Sequence, residues 1–217
     1  MIDVADRRER PSSWDGAGVT VASRPLPRRL RAVAEAVPPD ARSVVDVGAG
    51  DGQLAFRLAR RGLRVVATEV GRGPFERLRA ALPGMDCRLG EGLETLRPGE
   101  VEGAVIAGMG GRTMVRILES SPEVTRRLRW LVLQPQQHLD LLLAWLERTG
   151  HRVESRREVT QGRRSYTVLL VGRPGGGADG GRGTGPGQVG SPAGSAGPGT
   201  VVGGTERRGG RVSPPPP

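Results

Sequence analysis

Several residue types are scarce or missing in this 217-residue chain, and each absence excludes a class of protein. The single cysteine, Cys87, excludes an intrachain disulfide and a cysteine-based metal cluster, and it fits a reducing, cytosolic environment. No apolar run approaches the roughly 18 residues that a membrane span requires. The first residues mix Asp3, Asp6 and Glu9 with arginines and lack the apolar segment of a secretory signal. We therefore expect a cytoplasmic protein with no metal ion and no membrane partner.

Lysine is missing too, so all 33 basic residues are arginines, and they give a net charge of +10 against 23 acidic residues. Between residues 28 and 173 the chain has 25 arginines and 17 acidic residues, so much of the surplus lies away from the ends. A surplus of this size suits a polyanionic partner, whose phosphates would supply much of the affinity. Composition alone leaves open the alternative of a generally soluble basic surface.

The two ends of the chain are poor in core-forming residues. Residues 1–24 are polar and rich in turn formers, and residues 174–217 hold 16 glycines and 8 prolines in 44 positions. Neither segment can bury enough apolar surface to offset its chain entropy, so we expect both to be disordered. Residues 25–173 are long enough for one domain with a substantial core.

A buried strand followed by a glycine-rich turn organises this domain. Residues 43–47 are mostly small and apolar, as in a parallel strand covered on both faces. Gly48, Gly50 and Gly52 let the backbone turn sharply and approach a ligand, and a helix at 54–61 follows. Strand, turn and helix form the first unit of a nucleotide-type α/β fold, although such a turn also occurs where it serves only packing.

An acidic residue strengthens the ligand-binding interpretation. Glu69 ends the next predicted strand, residues 64–69, about twenty residues beyond the glycines. A carboxylate at this place can accept hydrogen bonds from both hydroxyls of a ribose. This geometry serves NAD or S-adenosylmethionine, and the glycine turn and Glu69 do not distinguish between the two cofactors.

The last two predicted strands distinguish between the two candidate cofactors. Periodicity predicts three further parallel strands, at 85–90, 103–107 and 130–133, and further helices at 28–37, 73–82, 112–119 and 139–149. Segments 151–160 and 165–171 are then two strands without a helix between them, and so an antiparallel hairpin. Five βα units closed by a hairpin resemble the Rossmann-like, seven-stranded α/β sheet of class I methyltransferases. A NAD-binding domain would continue with βα units, so S-adenosylmethionine is favoured.

Five stretches carry a more specific resemblance. They are Leu-Pro-Arg-Arg-Leu at 26–30, Glu-Val-Gly-Arg-Gly-Pro-Phe-Glu at 69–76, Arg-Leu-Gly-Glu-Gly-Leu at 88–93, Ile-Ala-Gly-Met-Gly-Gly at 106–111 and Leu-Val-Leu-Gln-Pro at 131–135. With this order and spacing, residues 26–171 resemble the bacterial tRNA (adenine-22-N1)-methyltransferase family. The resemblance implies methyl transfer from S-adenosylmethionine to N1 of a tRNA adenine, at position 22.

The resemblance also implies which residues form the site. Those expected at the cofactor follow the first four strands, or lie within them: Asp46, Gly48, Gly50, Gly52, Glu69, Val70, Gly90, Glu91, Gly92, Ala107 and Gly108. Those expected at the acceptor base are Gly108, Met109, Gln134 and Asp51. Backbone groups around Gly108 would hold the base edge, Met109 would pack on a ring or in the core, and Gln134 would contact the adenine, the cofactor or a strand end. Asp51 is a candidate base by position alone.

The chain departs from the family pattern in two places. Residues 46–53 read Asp-Val-Gly-Ala-Gly-Asp-Gly-Gln, where the family has an Asp-Ile-Gly-Ser-Asp-His-Ala-Tyr type. The glycine- and proline-rich tail stands where family members carry a helical extension. The first change retains the general methyltransferase form of the turn, and the second affects how tRNA is held.

Two other functions stay open from the sequence. The chain could methylate another RNA site or another substrate, or it could be a non-catalytic RNA-binding protein with a Rossmann-like core. The basic surplus speaks against a small-molecule substrate, and Asp46 and Glu69 speak against a pure binding module. Arg28, Arg29 and Arg31 on the first helix form either a solvated face or a contact with phosphates. A monomer is the working expectation.

Overall fold

A computed structural model describes residues 25–175, and the disorder expected for 1–24 and for most of 174–217 falls on residues outside this range. The strands are β1 (Ser43–Val47), β2 (Arg64–Glu69), β3 (Asp86–Leu89), β4 (Gly103–Met109), β5 (Trp130–Pro135), β6 (Arg152–Gln161) and β7 (Arg164–Gly172). The helices are α1 (Arg28–Ala36), α2 (Gln53–Ala59), α3 (Arg72–Ala81), α4 (Gly111–Ser120), α5 (Pro122–Thr125) and α6 (Leu139–Arg148). None of these helices has the length and apolar character needed to span a bilayer.

One seven-stranded sheet runs in the order β3-β2-β1-β4-β5-β7-β6. Strands β1 to β5 pair in parallel, and β7 is antiparallel to both of its neighbours, β5 and β6. This arrangement confirms the predicted α/β sheet of five βα units closed by a hairpin. Strands are added to one side of β1 up to β3 and to its other side from β4 onwards, so the strand order reverses between β1 and β4. Ligands bind at such a point in open α/β sheets.

The sheet has a separate apolar layer on each face. Successive residues of a strand point to opposite faces, and accordingly Val45 and Val47 lie in one buried cluster while Val44 lies in the other. The first cluster also contains the apolar sides of α4 and α6, and the second those of α1, α2 and α3. Because both faces are covered, the ligand site is restricted to the ends of the strands.

Helix α1 crosses one face of the sheet. It begins at the carboxyl ends of the parallel strands and ends near their amino ends. Near its beginning, Arg29 contacts Gln134 of β5. Near its end, the carbonyl oxygens of Ala34 and Val37 accept hydrogen bonds from Arg61, in the turn before β2. The helix therefore begins beside the carboxyl ends of the central strands.

Two strands end later than the sequence predicts, and two short helices were not predicted. Strand β4 continues to Met109, so Gly108 and Met109 belong to the strand. Strand β5 continues to Pro135, so Gln134 belongs to the strand and not to the loop after it. Helix α5 and a 3-10 helix at Gly92–Thr95 were not predicted. Each has four residues, which is too short to show a helical period. The 3-10 helix is instead stabilised by its cap, because Glu91 and Glu94 bind each other's backbone N–H groups.

Candidate functional site

A cavity of about 290 Å³ lies where the carboxyl ends of β1, β2 and β4 meet. It brings together nine residues that the sequence analysis placed in the site, namely Gly48, Glu69, Val70, Gly90, Glu91, Gly92, Ala107, Gly108 and Met109. Val47 and three residues of α4, Thr113, Arg116 and Ile117, complete the lining. Asp46, Gly50, Asp51, Gly52 and Gln134 lie outside this lining. Two further cavities, beside Gly84 and beside Pro98, lie away from the carboxyl ends of β1 and β4.

The turn after β1 is shaped by Gly48. Its φ of 69° is in the left-handed region, and its N–H donates to the carbonyl oxygen of Thr68 at 2.9 Å. A Cβ atom at Gly48 would overlap the terminal methyl of Met109. A glycine here therefore brings the first turn into contact with the end of β4, and the two walls of the cavity meet at this point.

The Glu69 carboxylate lies between β2 and the glycine turn. Its Oε1 accepts a hydrogen bond of 2.7 Å from the N–H of Gly50. Gly50 thus takes part in the site by orienting Glu69, although it does not line the cavity. A carboxylate can accept about four hydrogen bonds, so capacity remains for ligand hydroxyls. Gly52 is more distant, caps α2 and packs against Leu82.

Asp46 lies beneath the glycine turn and is only 3% exposed. Burial raises its pKa to about 7, the backbone N–H of Ala55 opposes this by hydrogen bonding, and the charges of Glu69 and Asp51 raise the pKa further. Asp46 Oδ2 and the Thr68 hydroxyl are both buried and have no hydrogen-bond partner among residues 25–175. The side chain is thus placed to support the turn from below.

Gln134 is completely buried behind the loop that follows β4. Its Oε1 accepts hydrogen bonds from the N–H of Gly108 at 3.1 Å and from Arg29 Nη1 at 2.6 Å. Its Nε2 donates to the carbonyl oxygen of Pro135 at 2.9 Å. Both hydrogen bonds of Oε1 are made within the protein and Gln134 does not line the cavity, so in this structure it positions Gly108.

Arg29 is a part of the site that the sequence analysis did not recognise. It was grouped with Arg28 and Arg31, which are indeed exposed, but Arg29 is half-buried and its guanidinium lies 5.8 Å from the centre of the Tyr166 ring. Burial lowers its pKa, and the interaction with Tyr166 works in the opposite direction. Helical spacing alone does not show that Arg29 points towards β5, so the signal was absent from the sequence.

The β4–α4 loop and the β5–α6 loop (residues 136–138) are joined by their backbones. We use the name β4–α4 loop for residues 108–111, which include the last two residues of β4 and the first of α4. The N–H of Gln136 donates to the carbonyl oxygen of Met109 at 2.9 Å, and the N–H of Gly111 donates to that of Gln137 at 2.8 Å. A Cβ atom at Gly111 would overlap the carbonyl oxygen of His138. His138 itself has a φ of 56°, an uncommon conformation for a residue with a side chain. The two loops therefore form one continuous shelf, which we call the shelf.

Helix α4 contributes residues that the sequence analysis assigned only to a helix with one apolar face. Arg116 forms an ion pair with Glu91, and a Cβ atom at Gly92 would overlap Ile117.

Asp51, in contrast, is exposed and accepts a 2.6 Å hydrogen bond from the side chain of Gln53. The structure therefore groups Glu91 with α4 and leaves Asp51 outside the cavity lining. No group of three or more possible metal ligands occurs within the described range.

Comparison with known proteins identifies the family to which this fold and cavity belong. A model of the methyltransferase domain matches residues 26–169, nearly the whole described part. The chain belongs to the methyltransferase-domain family. It is 29% identical over 154 residues to the tRNA (adenine(22)-N(1))-methyltransferase of Bacillus subtilis strain 168. This match covers 67% of this chain and 64% of that protein. It is 35% identical over 121 residues to an uncharacterized methyltransferase of Mycobacterium tuberculosis strain H37Rv, over 52% of this chain and 47% of that protein. It thus spans just under two thirds of the first relative's length and about half of the second's.

Solved structures show the same similarity. The M1A22 tRNA methyltransferase TrmK of B. subtilis superposes on this methyltransferase-domain chain with a TM-score of 0.63 at 28% identity, covering 69% of this chain and 67% of that one. A Streptococcus pneumoniae protein in complex with S-adenosyl-L-methionine gives a TM-score of 0.64 at 29% identity, covering 69% and 74%. These similarities confirm the resemblance that the five sequence stretches carry.

Proposed function

We propose that this protein transfers a methyl group from S-adenosylmethionine to N1 of adenine 22 in tRNA. The observation that carries the proposal is the cavity that has the glycine turn and Glu69 on one side and the β4–α4 loop on the other. The similarity to the B. subtilis enzyme supports the choice of tRNA and of the position. A tRNA substrate also supports a cytoplasmic location.

The cavity fits the cofactor in three respects. Gly48 has no side chain and packs directly against Met109, so the glycine turn and the end of β4 form one continuous wall of the cavity. Glu69 offers a carboxylate to ribose hydroxyls, and Glu91 and Gly92 follow β3 at the place for the adenine ring. The negative charge of Glu69 also suits a cationic ligand. When bound, S-adenosylmethionine would supply a methyl group that its sulfonium already activates.

The acceptor side requires placement more than acid–base chemistry. Adenine N1 carries a lone pair at neutral pH, so no residue has to remove a proton before the methyl group is transferred. The shelf of residues 108–111 and 136–138 presents backbone groups and Met109 beside the cavity. We propose that this shelf holds the adenine edge and aligns N1 with the methyl group. The position of Asp51 outside the cavity lining agrees with a reaction that needs no general base.

The decisive experiment is methyl transfer from labelled S-adenosylmethionine to unmodified bacterial tRNA, followed by nucleoside analysis. We expect 1-methyladenosine from the wild-type protein and none from Glu69→Ala, which removes the proposed ribose ligand. A tRNA with guanine at position 22 should accept no methyl group. Cofactor binding without methylation of any tRNA would refute the proposal and leave a methyltransferase for another substrate.

A further inference from the structure

The tip of the β6–β7 hairpin lies close to the proposed acceptor site. The backbone N–H of Arg29, at the start of α1, donates to Gln161 Oε1 at the end of β6, 3.0 Å away. The guanidinium of the same residue reaches Gln134, which in turn binds the N–H of Gly108. Arg29 therefore links the hairpin tip, through its backbone N–H, to the support of the shelf, through its guanidinium.

Three exposed arginines surround this contact. Arg28 precedes Arg29 on α1, while Arg163 lies in the hairpin turn and Arg164 at the start of β7. We call these three residues the tip cluster. Among residues 25–175 no carboxylate forms an ion pair with any of them. Their charge is therefore available to a ligand from solution.

Arginines elsewhere on the same hairpin are compensated. Three on β6 form ion pairs with nearby glutamates: Arg152 with Glu154 at 3.9 Å, Arg156 with Glu158 at 3.4 Å and Arg157 with Glu35 at 2.7 Å. The hairpin thus has a neutralised shaft and a positively charged tip. This difference shows that the charge at the tip is not simply a consequence of an arginine-rich sequence.

The charges around the site are divided between its two sides. Glu69 lines the cavity on the side of β2, and its charge has no ion pair within the described range, whereas Glu91 on the side of β3 is paired with Arg116. The tip cluster lies on the side of β5 and β7, beyond Gln134. A cationic cofactor suits the first side and a polyanion suits the second, so the two substrates of the proposed reaction would be attracted to different edges of one site.

We infer that Arg28, Arg163 and Arg164 bind the phosphates of the tRNA next to the target nucleotide. This inference rests on the proposed function and adds a docking surface to it. Guanidinium groups bind phosphate oxygens in a bidentate manner, and each phosphate contact releases condensed counterions. These residues do not line the cavity, so they should contribute to tRNA affinity and not to the methyl-transfer step.

The test compares two double variants of the full-length protein. Arg163→Ala/Arg164→Ala removes two charges from the tip, and Arg152→Ala/Arg156→Ala removes two from the shaft of the same hairpin. Both variants replace exposed side chains, and S-adenosylmethionine affinity measured by calorimetry checks that each one folds. Binding of unmodified tRNA is measured across a range of salt concentrations, together with kcat and KM for methyl transfer.

We expect the tip variant to bind tRNA about tenfold more weakly at 0.15 M salt, with a log–log salt slope smaller by about 1.5, which corresponds to two lost phosphate contacts. Its KM for tRNA should rise while kcat stays the same, and the shaft variant should resemble the wild type. If the wild type methylates tRNA and both variants bind it equally well, the docking surface is wrong and the proposed function stands. If the wild type neither binds nor methylates tRNA, both proposals are overturned.

Discussion

Gln134 controls a loop to which it does not belong. It is buried in β5, and its amide oxygen holds the N–H of Gly108 and the guanidinium of Arg29 together. The shape of the β4–α4 loop therefore depends on a side chain outside the cavity. The same principle applies to Gly50, which orients Glu69 through its backbone N–H.

Replacing Gln134 with leucine should impair catalysis more than cofactor binding. The change leaves the N–H of Gly108 and a half-buried guanidinium without their acceptor, which costs about 1 to 3 kcal/mol of folding free energy. We expect kcat to fall at least tenfold, whereas the Kd of S-adenosylmethionine changes less than threefold. Steady-state kinetics and calorimetry measure the two effects. The exposed Glu147 of α6, replaced by alanine, serves as the control, and equal kcat values for the two variants would contradict the positioning role.

Replacing Gly48 with alanine should reduce cofactor affinity at least tenfold, because the added Cβ atom displaces Met109 into the cavity. Gly62→Ala is a matched control. Gly62 also has a positive φ, of 90°, but its Cβ atom would meet nothing within 4 Å. Both variants should lose about 1 to 2 kcal/mol through backbone strain. A calorimetric titration with S-adenosylmethionine distinguishes them, and a similar Kd for both variants would show that strain alone explains the Gly48 effect.

Asp46 should make the free protein less stable as the pH rises. Its folded-state pKa of about 7 lies above the ordinary value of 3.8, so the folded protein binds the proton more tightly than the unfolded chain does. The stabilisation from this proton is complete below about pH 4 and is lost as the pH rises through about 7. We expect Asp46→Asn to be more stable than the wild type at pH 8, with a smaller advantage at pH 5. Urea unfolding at both pH values measures this; an unchanged difference would exclude Asp46 as the cause.

Much of the cavity could be predicted from single residues, because carboxyl ends of parallel strands meet at one edge of a sheet. Glu69, Glu91 and Met109 were identified in this way. Arg116 and Arg29 were not, since helix periodicity separates an apolar face from a polar one but does not show which polar residue points to a neighbouring loop. That information arises only when the helices pack on the sheet.

At the scale of elements, the two strands of the hairpin have different roles. Strand β7 is buried between β5 and β6 over much of its length, whereas β6 forms one edge of the sheet and is mostly exposed. The hairpin was predictable because two strand-like segments follow each other with only a short turn. Its contact with α1 was not predictable, because α1 is distant in sequence and meets the hairpin only when the helix packs on the sheet.

Truncating Leu169 of β7 should therefore cost far more stability than truncating Val153 of β6. Leu169 is fully buried, and its replacement by alanine should cost about 2 to 5 kcal/mol. Val153 is 37% exposed, and the same replacement should cost under about 1 kcal/mol. Chemical denaturation of the two variants measures the difference. Comparable losses would mean that β6, and not only β7, is anchored in the core.

At the scale of the whole molecule, both apolar clusters are built from residues between Leu26 and Val171. We expect a fragment of residues 25–175 to unfold cooperatively with a free energy within about 1 kcal/mol of that of the full chain, because it retains these contacts. A fragment of residues 25–162 lacks β7 and should not fold. Urea unfolding and cofactor titration compare the fragments with the full chain. A large loss of stability in the first fragment would show that the terminal segments contribute to the fold.

The backbone hydrogen bonds between the β4–α4 and β5–α6 loops bear on which partner changes conformation in the proposed reaction, the protein or the tRNA. These bonds already hold the shelf in one arrangement, whereas N1 of a base-paired adenine is hidden by its partner. In the proposed reaction the nucleic acid must therefore do the deforming, and the local melting free energy of the tRNA enters the rate. Substrates with a weakened pair at the target would be modified faster, so discrimination among tRNAs would depend on how easily each one opens as well as on its sequence.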